Sequence, residues 1–415
     1  MLKRIIIFIL RLEAQLVLWR FRPKIIGITG SVGKTSTKEA IATLLSDYYR
    51  VGKSRKSYNS EIGLPLAILG LESPWRSFGG WVRIILKGFL LAVRRKTYPT
   101  ILVLEMGVDR PGDLDKILRW VKPTTAVVTA IGSVPVHVEF FANPEALAEE
   151  KAKILSKLKE DEHAIISSDD ALTYALRLKT KGNVLTYGFD KHAMIRGSAY
   201  KLLIKRGRPD GITFKIDYDG KTMPIRVEGV AGKQVASALL AAAAIGITEG
   251  LNLIEIGESL RKYRPEPGRL RLLEGKHGSV LIDDSYNSSP LAAEAALELL
   301  MSLPAKRKIA ALGDMLELGK YSPSEHRRIG ALARASADHF ITVGIRSKGI
   351  ENVDCWFSNS EEAGEYLTGI VQEGDAILIK GSQGMRMERV TQKLLLHPEE
   401  APELLVRQEA YWKNH

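Results

Sequence analysis

The stretch Gly27-Ile-Thr-Gly30-Ser-Val-Gly33-Lys34-Thr35-Ser36-Thr37 constrains this chain more than any other. An apolar run rich in β-branched residues leads into it, and a helix-compatible run, Lys38–Leu45, leads out. Glycines at a strand-to-helix turn let backbone N–H groups approach anionic oxygens at the positive end of a helix. Lys34 is placed to reach β- and γ-phosphates, and the Thr35 hydroxyl to ligate Mg²⁺. Gly30, Ser31, Gly33, Lys34, Thr35 and Ser36 are therefore the candidate nucleotide-binding residues. The loop is a short G-x-x-G-K-T variant, since Ile28 stands where the longer spacing puts glycine. A glycine-rich turn that binds nothing is the plainer alternative; strand before and helix after argue against it.

The same kind of apolar run recurs between helical patterns at Ile101–Glu105, Ala126–Ala130, Ala164–Ser167, Ile309–Leu312, Phe340–Val343 and Ala376–Ile379. Continuous rather than alternating apolar character suits parallel strands covered on both faces, and the alternation with helices implies an α/β fold. Ile212–Ile216 and Thr222–Val227, joined by Asp217-Tyr-Asp-Gly220, read instead as an antiparallel hairpin at a sheet edge. Proline and glycine punctuate Pro265-Glu-Pro-Gly-Arg269, after which a fresh strand–helix series begins. The expected organisation is an amphipathic helix over 1–23, a central P-loop ATPase domain over 24–268 with a mostly parallel sheet, and a Rossmann-like α/β domain over 269–415. No repeat or low-complexity tract interrupts it.

Composition narrows the partners. With 45% hydrophobic and 26% charged residues the chain is neither disordered nor collagen-like. A single cysteine, Cys355, excludes a disulfide framework and a cysteine-rich metal site, and suits the reducing cytosol. The net charge of +12 implies attraction to something anionic. No aromatic-basic platform or groove-reading motif points to nucleic acid.

Two segments fit a compact core poorly. The Ile5–Trp19 stretch and Trp81-Val-Arg-Ile-Ile-Leu-Lys-Gly-Phe-Leu-Leu-Ala-Val93 are largely apolar, and in the second Arg83, Lys87 and Arg94 form a narrow basic stripe on a helical wheel. Residues 1–22 and 81–96 would either lie in a membrane interface, on the inner face of the membrane, or pack on each other or on a partner subunit. No run of 18 apolar residues suggests a spanning helix.

Further stretches carry a resemblance. They are Lys56-Ser-Tyr-Asn-Ser-Glu-Ile-Gly-Leu-Pro65, Val103–Gly112 around Glu105, His137-Val-Glu139 with Glu150-Lys151, Ile282-Asp-Asp284-Ser-Tyr-Asn287-Ser-Ser-Pro290, Leu312–Gly319 with His326, and Lys380–Glu388. In this order and spacing they resemble the Mur ligases, from about Lys24 to about residue 395, and within them the branch that adds D-alanyl-D-alanine to a muramoyl peptide. The resemblance implies an enzyme that uses ATP and Mg²⁺ to activate a small-molecule carboxylate as an acyl phosphate, which an amine donor then attacks.

By that resemblance Thr35, Glu105, His137 and Lys151 hold metal, with Lys151 carbamylated. Lys34 and Arg269 supply positive charge at the γ-phosphate. Asp284 and Asn287 hold the nucleotide from the C-terminal domain, and Asp314 helps place the amine. Glu105 also reads this way from position alone: a carboxylate at the C-terminal end of a strand sits where α/β sheets bind ligands, though such an acid is more often a cap or ion-pair partner. Two departures stand out. Gly232-Lys-Gln234-Val-Ala-Ser237 replaces a family G-x-H-N-x-x-N pattern, leaving Gln234 as the candidate adenine contact. Only 26 residues precede Gly27, where family members that take UDP-sugars carry a UDP-gripping domain; the expectation is an acceptor held differently, or one that is not a UDP-sugar. Two alternatives stay open: a ligase of this type acting on a cofactor precursor or an archaeal wall peptide, and a nucleotide switch with no ligation.

Overall fold

The computed structural model describes residues 2–54, 61–74, 77–94, 97–409 and 412. Lys56–Ser60 of the first family-like stretch, and Arg95 and Lys96 of the second amphipathic segment, lie outside them.

Nine strands form the first sheet: β1 (Lys24–Thr29), β2 (Val51–Lys53), β3 (Ile101–Glu105), β4 (Thr125–Val128), β5 (His163–Ser167), β6 (Asn183–Gly188), β7 (Ile195–Lys205), β8 (Arg208–Tyr218) and β9 (Lys221–Glu228). Their spatial order is β2-β3-β1-β4-β5-β6-β7-β8-β9. Pairing is parallel from β2 to β7 and antiparallel for β7–β8 and β8–β9. β1 and β3 are buried almost throughout, which is why they read as unbroken apolar runs. The expected hairpin is present as β8–β9 at the sheet edge. It is one strand wider than the sequence suggested, because β7 is mostly exposed or half-buried, with Arg196, Lys201 and Lys205 exposed along it.

The second sheet has the order β10-β11-β15-β12-β13-β14, with β10 (Arg271–Glu274), β11 (Val280–Asp284), β12 (Arg307–Gly313), β13 (His339–Val343), β14 (Cys355–Phe357) and β15 (Asp375–Lys380). β10 runs antiparallel to β11 and the other pairs are parallel. The helix Leu253–Leu260 closes the first unit, and the punctuated segment before Arg271 connects the two sheets. The alanine-rich helix Lys233–Thr248 lies against α2 (Lys34–Leu45), and its small side chains allow the close approach.

Two long helices sit on the far side of the first sheet. α1 (Leu2–Phe21) packs on α3 (Gly63–Leu69) and on α4 (Phe78–Arg94). Its buried stripe is Ile6, Leu10, Ala14 and Val17, while Ile84 and Ala92 of α4 enter the same cluster. Each of Ile6, Leu10, Val17 and Ile84 contributes about 1.5–3 kcal/mol, and the two alanines less. Arg20 Nη1 donates to the Ala92 carbonyl at 2.6 Å and ties the two helices together. No helix among the described residues is long and apolar enough to cross a membrane.

The seam between α1 and α4 holds one misfit. Glu13 is buried there with one carboxylate oxygen unpaired, and a Cβ at Gly88 would stand 2.1 Å from it. Burial raises the Glu13 carboxyl from 4.5 to about 7. Between those values the folded chain holds a proton that the unfolded chain has lost, so Glu13 destabilises progressively as pH rises. Glu13→Gln should therefore melt higher than the parent at pH 8, and the difference should vanish near pH 4. A gain that is the same at both pH values would refute the assignment.

Candidate active site

The phosphate loop is held in place by its own backbone. Gly30 has φ 138°, and a Cβ there would lie 2.0 Å from Thr129 Oγ1, so glycine is required at this close approach to the end of β4. The Ser31 and Val32 N–H groups both donate to the Ala130 carbonyl, at 3.0 and 2.9 Å. Gly33, at φ 87°, turns the chain into α2. The first N–H groups of α2 have no partner within the helix and point where an anion would sit. The Ser31 and Thr29 hydroxyl oxygens are buried and unpaired at the same place.

Two lysines converge on one carbonyl. Lys34 Nζ donates to Gly30 O at 2.8 Å and Ser31 O at 3.3 Å, and Lys151 Nζ donates to the same Gly30 O at 3.0 Å. Lys151, on the helix Pro144–Ala152, is buried, and burial followed by repulsion from Lys34 pushes its amine well below the ordinary lysine range. Burial also lowers Lys34, with Glu105 and Asp109 opposing and Arg269 assisting. Lys151 is thus no solvated helix lysine, although Glu149 and Lys153 flank it.

Glu105 ends β3 with both carboxylate oxygens free of hydrogen bonds, 3.4 Å from the buried Lys38 Nζ. Lys38 also meets Glu39 at 3.2 Å. His137, at φ 70°, projects between two domains' worth of acid: its Nδ1 lies 3.1 Å from Glu317 and its Nε2 3.5 Å from Asp109. The Glu317 carboxyl is held below the usual range chiefly by His137.

Arg269 joins the two sheets at the site. Its Nη2 donates to Thr35 Oγ1 at 3.2 Å, and its guanidinium lies 4.0 Å over the Tyr286 ring. Both carboxylate oxygens of Asp284 are engaged: its Oδ1 accepts from the Leu270 N–H at 3.3 Å, and its Oδ2 from the buried Lys380 Nζ at 2.6 Å. It therefore positions the segment that carries Arg269. Asn287 Oδ1 accepts from the Gln383 N–H at 3.4 Å.

A cleft of about 740 Å³ gathers Ser31, Gly33, Lys34, Thr35, Glu105, His137, Arg269 and Asn287, together with Asp109, Glu317 and Tyr286. Ser36, Gln234 and Asp284 line an adjoining groove that shares the loop residues, Arg269 and Asn287. Gly30 and Lys151 lie behind the loop rather than in the cleft. The structure does not bring Asp314 to the cleft. Its two carboxylate oxygens accept from the Arg346 and Ser347 N–H groups, each at 2.9 Å, and it shapes that turn. His326 is likewise internal, accepting from the Met315 N–H at 3.0 Å.

The Mur ligase middle domain matches residues 28–78 and 84–246, and the Mur ligase glutamate ligase domain matches 268–383. The chain belongs to the Mur ligase family. It is an ATP-dependent ligase of that family, similar to the UDP-N-acetylmuramoyl-tripeptide–D-alanyl-D-alanine ligases of Synechocystis (30% identical, over 91% of this chain and 75% of that protein) and Bacillus subtilis (30%, over 93% and 79%). Among solved structures it is similar to a MurF ligase from Thermotoga maritima in complex with ADP, with a TM-score of 0.78 and 26% identity, covering 93% of this chain and 83% of that one. The α/β reading with two sheets, and the family itself, were thus available from sequence.

Several residues in the cleft or buried beside it carried no mark in the sequence. Asp109 and Glu317 lie inside the quoted motifs and only their convergence on His137 marks them. Lys38 sits one helical turn after Lys34, where a lysine reads as a solvated face; its burial against Glu105 is a tertiary fact. The buried Lys380–Asp284 pair gives a test. Removing one partner of such a pair strands the other charge and costs about 3–5 kcal/mol. Lys380→Met should lower the melting temperature sharply, while Lys380→Met with Asp284→Asn should recover much of the loss. Equal destabilisation in single and double variants would refute the pairing.

Proposed function

We propose that this Mur ligase joins D-alanyl-D-alanine to a UDP-N-acetylmuramoyl-tripeptide, the reaction that names its relatives. The observation that carries the reading is Arg269 reaching from the second sheet to Thr35 on the phosphate loop, which closes both units around one cleft. A nucleotide switch has no need of that second unit.

The donor set fits Mg²⁺. That ion prefers oxygen ligands and is commonly held by one or two carboxylates together with substrate phosphates. Glu105 offers two buried carboxylate oxygens free of hydrogen bonds, one of them ion-paired with Lys38 at 3.4 Å, and Thr35 a hydroxyl at the helix start. Among the described residues no three His, Cys, Asp or Glu side chains form a group that could hold a metal ion by itself. Bound there, Mg²⁺ would neutralise phosphate charge.

The chain's own residues do the rest. Lys34 and the α2 N-terminus draw the phosphates into line, and Arg269 faces the γ-phosphate from the opposite wall. The acceptor carboxylate attacks the γ-phosphorus and ADP leaves with its electron pair. The amine then attacks the acyl carbon of the acyl phosphate, and inorganic phosphate leaves as the amine loses a proton. Closing the two units further on the cleft would keep water from the acyl phosphate. Lys34→Ala should cut ligation by about 10²–10³-fold or more with little change in melting temperature, scored by mass analysis of the product and by phosphate release. Ligation near the parental rate in that variant would sink the assignment.

Lys151 supports a second element of the reading. Its environment favours the neutral amine, and only a neutral amine attacks CO₂. The product, a carbamate plus a released proton, would turn an unfavourable cation beside Lys34 into a paired anion. Lys151→Ala should then lose about 10²-fold in rate, and short-chain carboxylates should restore part of it. A full loss with no rescue, and no dependence of the parent on bicarbonate, would count against carbamylation.

A further inference from the structure

α1 and α4 each bury one face and leave another, equally apolar, uncovered. On α1 the buried stripe is opposed by Ile5, Phe8, Leu12, Leu16 and Trp19; Phe8 is 61% exposed and Trp19 is 70% exposed. On α4, opposite Ile84 and Ala92, stand Val82, Leu86, Phe89, Leu90 and Val93, with Leu86 58% exposed. Both helices anchor in the same cluster beneath the first sheet, so these outer faces turn away from the protein. Exposed apolar residues scattered singly need no explanation, but ten on two packed helices do.

Charge selects the occupant. Lys3, Arg4, Arg20 and Arg22 are exposed along or beside α1. Arg83, Lys87 and Arg94 are exposed along one border of the α4 apolar face. The sole acidic side chain of either helix is Glu13, which is buried in the seam between them. An apolar face rimmed by cations, without an exposed acid, is complementary to a lipid surface with anionic headgroups. A second copy of this chain would set these cations against their own kind. Neither helix is apolar enough to span, so the pair would lie flat.

We propose that α1 and α4 form a docking surface for an anionic lipid leaflet, with the outer apolar side chains seated at the level of the headgroups. The inference is independent of the ligase reading, because binding is measured without turnover. The surface brings the cleft to a membrane without committing the chain to insertion. Reversible attachment is what a few cations and a shallow apolar face provide: each Lys or Arg near such a surface contributes about fivefold in affinity.

The test is flotation of the full chain with vesicles of phosphatidylcholine containing about one-third phosphatidylglycerol, against vesicles of phosphatidylcholine alone. The chain should float with the anionic vesicles at low salt and leave them at about 0.5 M salt, where charges are screened within a few ångströms. Arg83→Glu with Lys87→Glu should weaken binding by at least about twentyfold, and Phe8→Ser with Phe89→Ser should also release the chain, both with unchanged nucleotide binding. Brominated lipid should quench part of the tryptophan fluorescence, and Trp19→Phe should remove that part while leaving flotation intact. A folded chain that stays with the soluble fraction at low salt overturns the proposal. So does binding indifferent to lipid charge, or a concentration-dependent dimer that the Phe8→Ser, Phe89→Ser variant dissolves.

Discussion

The contact between Gly30 and the end of β4 underlies the whole site. Because no side chain intervenes, the loop backbone presses against Thr129, and the Ala130 carbonyl takes two consecutive N–H groups from it. That fixes the Gly30 carbonyl, onto which Lys34 and Lys151 both fold. It also fixes the start of α2, and with it the Thr35 hydroxyl that Arg269 reaches. A bulkier residue at position 30 would move the loop, both lysines and the bridge between the two units together.

Charge is arranged around that fixed loop in layers. Lys38, buried, faces Glu105 and Glu39; Lys34 and Lys151 face one carbonyl; Arg269 crosses from the far side. Cations outnumber the acids that reach them directly, and the unpaired hydroxyls of Thr29 and Ser31 are donors in waiting. Such an arrangement suits an anionic ligand, since phosphoryl transfer asks for charge neutralisation and alignment more than covalent help. The second unit contributes through positioning. Lys380 and the Leu270 N–H hold Asp284, which holds the segment that aims Arg269. The functional groups are few, and much of what surrounds them serves to orient them.

The outer helices follow a different logic. Their inner stripes are ordinary core, with Ile6, Leu10, Ala14 and Val17 in the cluster beneath the first sheet. Their outer stripes repeat the same residue types and stand exposed among the described residues. The expectation held a membrane interface, or packing on each other or on a partner subunit. The packing is in the structure, and it accounts for only one face of each helix.

The sequence by itself determined the alternation of buried strands and helices, the phosphate loop, the family, and the residues Lys34, Thr35, Glu105, His137 and Arg269. Most of these are local patterns (unbroken apolar runs, glycines at a strand-to-helix turn, acids at strand ends), whereas His137 and Arg269 are marked only by the family resemblance. Only the tertiary structure decided what each polar group faces. Asp314 and Asp284 look alike as acids following apolar strands. One is spent on the Arg346 and Ser347 amides, and the other on Lys380 and the segment before β10. Lys38 and Lys151 look like solvated helix lysines and are buried. Glu317 meets His137 only because the two sheets close on each other. Burial and pairing depend on residues distant in the chain, and spacing along one segment carries no record of them.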